Sequence, residues 1–292
     1  MFLERFLNYL QYEKRYSKHT LIAYKNDLQQ YAQFLKSLET DILKTNHHEI
    51  RAWMVSLMDD EMDPRSINRK ISTLRSLYKF LLKEGLIEEN PVLKIKAPKV
   101  AKKLPTFIPE AKIIQLLDNN FFEESFIGLR DKLVIELLFG TGIRLSELIG
   151  LLINDYLPKE NTIKVLGKRN KERIIPIHIS LSNLLNQYLI SRAEQGISNE
   201  IKSLIVSDSG SAAYSKFIYR LVQKYLSYVS TQDKRSPHVL RHSFATTLLN
   251  KGADINAIKD LLGHTNLAAT QIYTHNSIER LKSIYKQAHP KA

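Results

Sequence analysis

A basic stretch rich in proline interrupts the chain about a third of the way along it. Between Asn90 and Pro109 there are four prolines, five lysines and no acidic residue. Proline fixes φ and removes a backbone donor, so this stretch is poorly suited to a helix interior or a central strand. It predicts a linker at residues 91–106 between two separately folded domains, residues 1–90 and 107–292. A chain of 292 residues is long enough for two such cores.

Apolar side chains before the linker recur at the spacing of amphipathic helices. We expect two helices within residues 2–36, the second capped by Ser17, and a third over residues 47–59. A fourth is expected from Pro64 to about Gly85, because proline is favoured in the first turn of a helix and glycine just beyond its end. The first domain is therefore predicted to be all-helical.

The second domain opens with helical patterns at residues 110–118 and 127–139, a break at 140–142 and a further helix through Leu151. Strand character appears only after this point. We expect strands at residues 162–166 and 174–178, which flank the turn GKRNKER and form a β-hairpin. A further strand is expected at residues 204–207. Beyond about residue 212 the pattern is helical again. The predicted fold class is mainly α with a small β-sheet: a helical N-terminal domain followed by an α+β domain.

Charge and composition narrow the classes of function. The formal net charge is +13, and both predicted domains are basic, which favours a polyanionic partner, either nucleic acid or an anionic membrane surface. The N-terminus lacks the apolar core of a signal peptide, and no apolar run approaches 18 residues. We therefore expect a cytoplasmic protein that does not insert into membranes. The chain has no cysteine, which excludes disulfides and thiolate chemistry.

The segment SPHVLRHSFATTLLNKG, residues 236–252, predicts a helix with Ser236 as N-cap. His238, Arg241 and His242 then share one face near the helix N-terminus, where backbone amides favour an anion such as phosphate. Taken singly, the histidines could be core residues and the arginine a surface ion-pair partner. A zinc site is disfavoured, because Val239 stands where a metalloprotease motif has glutamate.

Three further segments contain candidate functional side chains. In residues 254–275 a helix capped by Asp254 and ended by Gly263 precedes His264 and Tyr273, although tyrosines at helical spacing usually belong to a core. In GTGIRLSELIGL, residues 140–151, an arginine and a glutamate could form an ordinary helical ion pair. The hairpin turn carries four cations and could be a solvated loop.

Together these segments resemble the tyrosine recombinase (phage integrase) family, and the Xer-like branch most of all. The shared motifs read GTGIRLSEL, GKRNKER, HVLRHSFAT, LLGH and IYTH, and they occur in the family's order and spacing. The likeness extends upstream to RSINRKISTLRSLYKFLLKEG, Asn90-Pro91 and KLP at 103–105, so it covers nearly the whole chain. Arg169, where a glycine is common, and Ala269, where a small hydroxyl residue is common, depart from the pattern.

The resemblance implies a nucleophile and a phosphate clamp. Tyr273 would attack a DNA phosphodiester and form a 3′-phosphotyrosyl intermediate, which keeps the bond energy without ATP. Arg144 and Arg241 would hold the non-bridging oxygens, because a guanidinium stays charged and matches phosphate geometry. No metal and no other cofactor is implied, since the arginine pair replaces the divalent cation of many phosphoryl-transfer enzymes.

The resemblance also implies which groups move protons and which support the clamp. His264 would donate a hydrogen bond to the phosphate, His238 would handle the tyrosine proton, and Lys168 would protonate the departing 5′-oxygen. Glu147 and His242 would orient these groups.

The implied partner is a double-stranded DNA recombination site held between the two domains. Nine further cations are expected to contact it: Arg65, Arg69, Arg75, Lys99, Lys102, Lys103, Arg169, Lys171 and Arg173. Strand exchange implies a homotetramer, or a heterotetramer with a paralogous recombinase, and an accessory DNA translocase is a further expected partner. The tail after Tyr273 would dock on a neighbouring protomer.

The expected role is chromosome dimer resolution and segregation, favoured because the chain starts directly at the core-binding (SAM-like) domain. The alternatives are an integrase of a phage or mobile element, a type IB topoisomerase-like nickase, and a catalytically inactive DNA-binding protein. All six implied catalytic residues are present, which argues against the last of these.

Overall fold

A computed structural model describes residues 2–101, 106–167, 170–198 and 200–263. The chain divides into two compact units, Met1–Lys103 and Leu104–Ala292. Each unit has its own cluster of buried apolar side chains. The first unit is helical, and the second combines helices with a small sheet, as the sequence predicts.

Four α-helices form the first unit's described part, with a short π-helical turn at Tyr9–Glu13. They are α1 (Phe2–Asn8), α2 (Lys18–Ser37), α3 (His47–Asp59) and α4 (Pro64–Lys83). Ser17 caps α2 as expected, because its hydroxyl accepts a hydrogen bond from the backbone N–H of Thr20 at 3.2 Å. Gly85 follows α4 with φ of +66°, a left-handed conformation that glycine adopts without strain.

A buried polar network in the core of the first unit centres on Asp27. Asp27 on α2 is 1% exposed and accepts hydrogen bonds from Lys70 Nζ at 3.0 Å, from Thr73 Oγ1 at 2.9 Å and from Arg69. All three donors lie on α4. The network therefore joins α2 to α4 through one buried carboxylate.

Seven α-helices lie in the described part of the second unit. They are α5 (Glu110–Asp118), α6 (Phe126–Thr141), α7 (Leu145–Gly150), α8 (Ile179–Glu194), α9 (Ser215–Ser227), α10 (Pro237–Asn250) and α11 (Ile255–Leu262). The break expected at residues 140–142 comes at its last residue, Gly142, whose φ of +62° ends α6. Helix α6 is buried nearly all round and packs against α8 and α10. Within the described residues, no helix has the length and apolar character needed to cross a membrane.

A three-stranded antiparallel sheet lies between α7 and α8 in the chain. Its strands are β1 (Tyr156–Leu157), β2 (Thr162–Leu166) and β3 (Glu172–Pro176), in the order β1-β2-β3. The predicted hairpin is confirmed, although β3 begins two residues earlier than expected. Residues 204–207 form no strand; that region contributes only two isolated bridges, Leu152–Ser203 and Val206–Ala212, so the expectation there was wrong.

Candidate active site

Arg144 lies at the N-terminus of α7, two residues after the glycine that ends α6. Gly142 reverses the chain here, and a Cβ at this position would collide with the side chains of Phe244 and Leu262, so only glycine fits. Arg144 then occupies the N-cap position, and its backbone N–H donates to Glu147 Oε2 at 2.8 Å. Its side chain also donates from Nη1 to Glu147 Oε1 at 2.7 Å and remains 30% exposed.

Arg241 approaches the same place from α10. The residue is 8% exposed, and its guanidinium donates from Nη1 to Gly142 O and from Nη2 to Leu262 O, each at 2.6 Å. Burial, reinforced by the neighbouring cation of Arg144, lowers the pKa of Arg241 to about 10. Arg241 is therefore still a cation at neutral pH, in a fixed orientation.

Arg173 is the third guanidinium at the site. It lies on β3, is 5% exposed and donates from Nη1 and Nη2 to the two carboxylate oxygens of Glu147, both at 2.9 Å. This position contradicts the expectation that Arg173 contacts DNA from the hairpin turn, because its donors point inward. A sequence signal could have revealed this: alternate residues of a strand share a face, and Ile175 is buried on the face of Arg173.

Glu147 is the carboxylate around which these arginines gather. Burial by itself would raise the pKa of Glu147, but hydrogen bonds from Arg173 and from the Arg144 backbone outweigh it and lower the pKa to about 2. Arg241 Nη1 lies 4.0 Å from Glu147 Oε2, close enough to add to the attraction. Glu147 is therefore ionised, and its two carboxylate oxygens accept hydrogen bonds from both Arg144 and Arg173.

The C-terminal end of α11 supplies the other half of the arrangement. Three consecutive backbone carbonyls there each accept a hydrogen bond from a different arginine. The pairs are Leu261 with Arg173 at 2.9 Å, Leu262 with Arg241 at 2.6 Å and Gly263 with Arg144 at 3.1 Å. The last carbonyls of a helix have no intrahelical partner and carry the negative end of its dipole, so they suit cations. Asp254 caps the other end of α11, accepting from the N–H groups of Asn256 and Ala257.

The cluster has an excess of positive charge. Three guanidinium groups surround one carboxylate, which leaves two net positive charges at one place. Because the carboxylate and the carbonyls fix the guanidinium positions in advance, little reorganisation is needed when an anion arrives. Since Arg144 is partly exposed, such an anion can reach the cluster from solvent. The arrangement is therefore suited to an oxyanion whose charge grows during a reaction.

The two histidines of α10 differ in exposure. His238 is exposed, whereas His242 is partly buried and its ring contacts that of Phe107 edge-on, with centroids 6.5 Å apart. Ser236 stands at the N-cap of α10, but its hydroxyl makes no capping hydrogen bond among the described residues, contrary to expectation. Within the same described ranges, no group of three or more acidic or histidine side chains could hold a metal ion.

Several predicted site residues lie outside the described residues. They are Lys168, His264 and Tyr273 of the implied catalytic set, and Lys102, Lys103 and Arg169 of the implied DNA contacts. Of the other cations, Arg65, Arg75, Lys99 and Lys171 are exposed, and Arg69 is half-exposed with an ion pair to Asp27. Contact of these cations with DNA stays a prediction.

Comparison with known proteins gives two family matches. The Phage integrase family matches residues 107–280, and the Phage integrase N-terminal SAM-like domain matches residues 3–85. A protein of Listeria welshimeri named Tyrosine recombinase XerC is 37% identical over 292 residues, covering 99% of this chain and 97% of that protein. A protein of the same name from Thermodesulfovibrio yellowstonii is 36% identical, with 99% and 96% covered.

Solved structures show the same fold. The Tn1549 transposon integrase in complex with transposon right end DNA matches with a TM-score of 0.75 and 18% identity, covering 95% of this chain and 97% of that one. The XerH site-specific recombinase bound to its difH substrate matches with a TM-score of 0.69 and 23% identity, covering 90% and 78%. At these identities the likeness concerns the fold alone.

Proposed function

The chain belongs to the phage integrase family of tyrosine recombinases, the enzymes of site-specific DNA strand exchange, and from that premise we propose which of its residues do the chemistry. The observation that carries the proposal is the arginine cluster at the end of α11. Arg144 and Arg241 bind the non-bridging oxygens of the scissile phosphate, and Glu147 and the carbonyls at the end of α11 hold them in place.

Tyr273 is the nucleophile in this proposal. Its phenolic oxygen attacks phosphorus, the bond from phosphorus to the 5′-oxygen breaks, and a 3′-phosphotyrosyl link and a free 5′-hydroxyl result. The phosphodiester carries one negative charge and approaches two in the transition state. The two net positive charges of the cluster match that later value, so they stabilise the transition state more than the ground state.

Three further groups complete the proposed chemistry. His238, exposed on the first turn of α10, accepts the proton of Tyr273, and Lys168 donates one to the departing 5′-oxygen. His264 directly follows Gly263, whose carbonyl holds Arg144, and it donates a hydrogen bond to the same phosphate. His242 orients its neighbours on α10.

A nicked suicide substrate tests the nucleophile. The duplex is selected for binding from a random library and nicked beside the cleaved position, so that the short fragment diffuses away and the adduct is trapped. We expect the wild-type chain to become covalently attached to the DNA 3′ end and Tyr273→Phe not to. Tyr273→Phe that still forms the adduct would show that another residue attacks.

We further propose that the partner is duplex DNA bound by both basic units. Each bound phosphate releases counterions, so affinity should fall by about 10³-fold or more between 50 and 200 mM salt if six or more phosphates are contacted. Affinity independent of salt, measured by fluorescence anisotropy, would contradict this. The exposed cations Arg65, Arg75, Lys99 and Lys171 support the proposal.

Chromosome dimer resolution in the cytoplasm is the proposed biological role. It is supported by the full-length likeness to proteins named Tyrosine recombinase XerC. We propose a tetramer on two duplexes, homomeric or shared with a paralogous recombinase, and activation by a DNA translocase. A lambda integrase tetramer bound to a Holliday junction has the same fold, with a TM-score of 0.68. Deletion of the gene should leave unresolved chromosome dimers at division; normal segregation in the deletion strain would contradict the role.

A further inference from the structure

Arg173 joins three segments that are far apart in the sequence. Its guanidinium donates two hydrogen bonds to Glu147 at the start of α7 and a third, from Nε, to Leu261 O at the end of α11, 88 residues away. Its own backbone belongs to β3, opposite Val165 of β2. One side chain thus connects the β-hairpin to both elements that hold the phosphate-binding arginines.

The space around this guanidinium is closely fitted. A Cβ on Gly263 would lie 3.2 Å from Arg173 Nη1 and 3.4 Å from Cδ, which is tighter than ordinary contact. A Cβ on Gly167 would lie 3.5 Å from the same Nη1, which is ordinary van der Waals contact. Gly263 is therefore the glycine that lets the chain approach the guanidinium closely.

Arg173 lies near the turn end of the β2–β3 hairpin, and Lys168 belongs to that turn in the sequence. Gly167 donates a backbone hydrogen bond to Lys171 O at 2.7 Å, closing the base of the turn, and Leu166 pairs with Glu172 next to Arg173. Lys168 follows Gly167 directly in the chain. Contacts that fix the two ends of a short turn restrict the positions available to the residues within it, and here those residues include Lys168.

We propose that Arg173 is a positioning residue that holds the β2–β3 hairpin in register with the phosphate-binding arginines, so that the hairpin lysine can serve as the general acid. This inference rests on the proposed function and adds to it the residue that positions Lys168, the general acid. Arg173 is buried and needs no contact with DNA. It therefore acts on the rate of leaving-group departure rather than on DNA affinity.

Arg173→Lys is the sharpest variant. It keeps one positive charge beside Glu147, but an ammonium group cannot bind both carboxylate oxygens and Leu261 O in the fixed geometry of a guanidinium. We expect DNA affinity within about threefold of wild type, and adduct formation slower by about 10- to 100-fold, the range of a supporting group around a reactive centre. The thermal unfolding of each variant is measured alongside its rate, to show that the variant is folded.

A changed leaving group separates this role from a general loss of structure. In a substrate whose scissile 5′-oxygen is replaced by sulfur, the thiolate departs without a proton, so a misplaced general acid no longer matters. We expect the sulfur substrate to restore most of the rate of Arg173→Lys and of Lys168→Ala, and to leave Arg241→Lys defective. Arg173→Lys that cleaves the normal substrate at the wild-type rate, or whose defect sulfur does not restore, overturns the inference.

Gly263→Ala covers the case in which Arg173→Lys does not fold. It keeps every charge and pushes on Arg173 from outside, while Gly252→Ala is the matched control, since Gly252 also has positive φ but has nothing within 4 Å of its Cβ position. We expect a slower rate for Gly263→Ala that sulfur restores, and the wild-type rate for Gly252→Ala; equal rates for the two overturn the inference. If wild type itself forms no adduct on either substrate, the proposed function fails instead.

Discussion

Each unit of the chain buries a carboxylate among cationic side chains, but the two clusters are built differently. Within the described residues, the side-chain partners of Asp27 all lie on one neighbouring helix, α4. Glu147 gathers arginines from α10, β3 and its own N-cap, and these arginines in turn hold the end of α11. The first cluster joins two helices, whereas the second joins α7, α10, α11 and β3.

Net charge separates the two clusters further. Buried Lys70 neutralises Asp27, and half-exposed Arg69 leaves the first cluster with one excess positive charge. At the second cluster Arg144 is 30% exposed, and positive charge exceeds negative charge by two. A buried ion pair between two helices is suited to stabilising a fold, whereas a solvent-open cluster with two excess positive charges is suited to receiving an anion.

The largest expected effect is on folding of the first unit. Asp27→Asn leaves Lys70 buried without its carboxylate, and breaking a buried pair in this way costs about 3–5 kcal/mol. Urea denaturation of wild type and variant measures the loss. The double variant Asp27→Asn/Lys70→Met should regain much of it, because no buried charge then lacks its partner. A loss below about 1 kcal/mol in the single variant would contradict a structural role for the first cluster.

The next effect concerns catalysis at the second cluster. Arg241→Lys should slow covalent adduct formation by about 10²–10³-fold, the usual consequence of losing one donor to a developing oxyanion. Arg192→Lys is the matched control, since Arg192 is also a buried arginine of this unit that donates to a backbone carbonyl, that of Ile201. The measurement is the single-turnover rate of adduct formation at saturating DNA. Equal losses of rate in both variants would show that Arg241 has no special role in catalysis.

The pH dependence of stability measures the charge of Glu147 directly. Its folded pKa of about 2 lies below its ordinary value of 4.5, so the stabilisation is present above pH 4.5 and is lost as pH falls towards 2. The shift corresponds to about 3 kcal/mol in total. We expect the difference in unfolding free energy between wild type and Glu147→Gln to shrink by about 2 kcal/mol between pH 7 and pH 3. A difference independent of pH would contradict an ionised, hydrogen-bonded carboxylate.

Helix caps give the smallest effect and still distinguish the units. Ser17→Ala and Asp254→Ala each remove a side-chain acceptor at a helix N-terminus and should each cost about 1 kcal/mol. Only Asp254 caps the helix whose other end holds the arginines, so only Asp254→Ala should also slow cleavage, by a few-fold. Identical cleavage rates in the two variants would weaken the link between α11 and the cluster.

The helical unit was predictable because its signals are local. Ser17 and Pro64 mark helix starts within a few residues, and apolar spacing marks the buried faces. Strand β1 escaped prediction because two residues are too few to show alternation. Residues 204–207 have apolar strand-like composition, but in the described part of the chain this region contributes only isolated bridges and no ladder.

The residue types of the candidate site were predictable from the sequence, but its assembly was not. Arg144 and Arg241 stand in motifs that identify them, whereas Arg173 was expected to contact DNA because it lies beside a charged turn. Arg144 donates to the carbonyl of Gly263, 119 residues away in the chain. Every residue has a backbone carbonyl, so residue identity gives no signal for such a contact. Contacts of this kind become visible only in the folded unit.

One paired measurement tests the central claim that the second cluster serves the reaction and the first serves the fold. Glu147→Gln and Asp27→Asn are the same chemical change, a buried carboxylate to an amide, and each is compared with wild type in single-turnover adduct formation at saturating nicked DNA. We expect Glu147→Gln to be slower by about 100-fold or more and folded Asp27→Asn to stay within about threefold of wild type. Equal rates for the two variants, or a wild-type rate for Glu147→Gln, would contradict the claim.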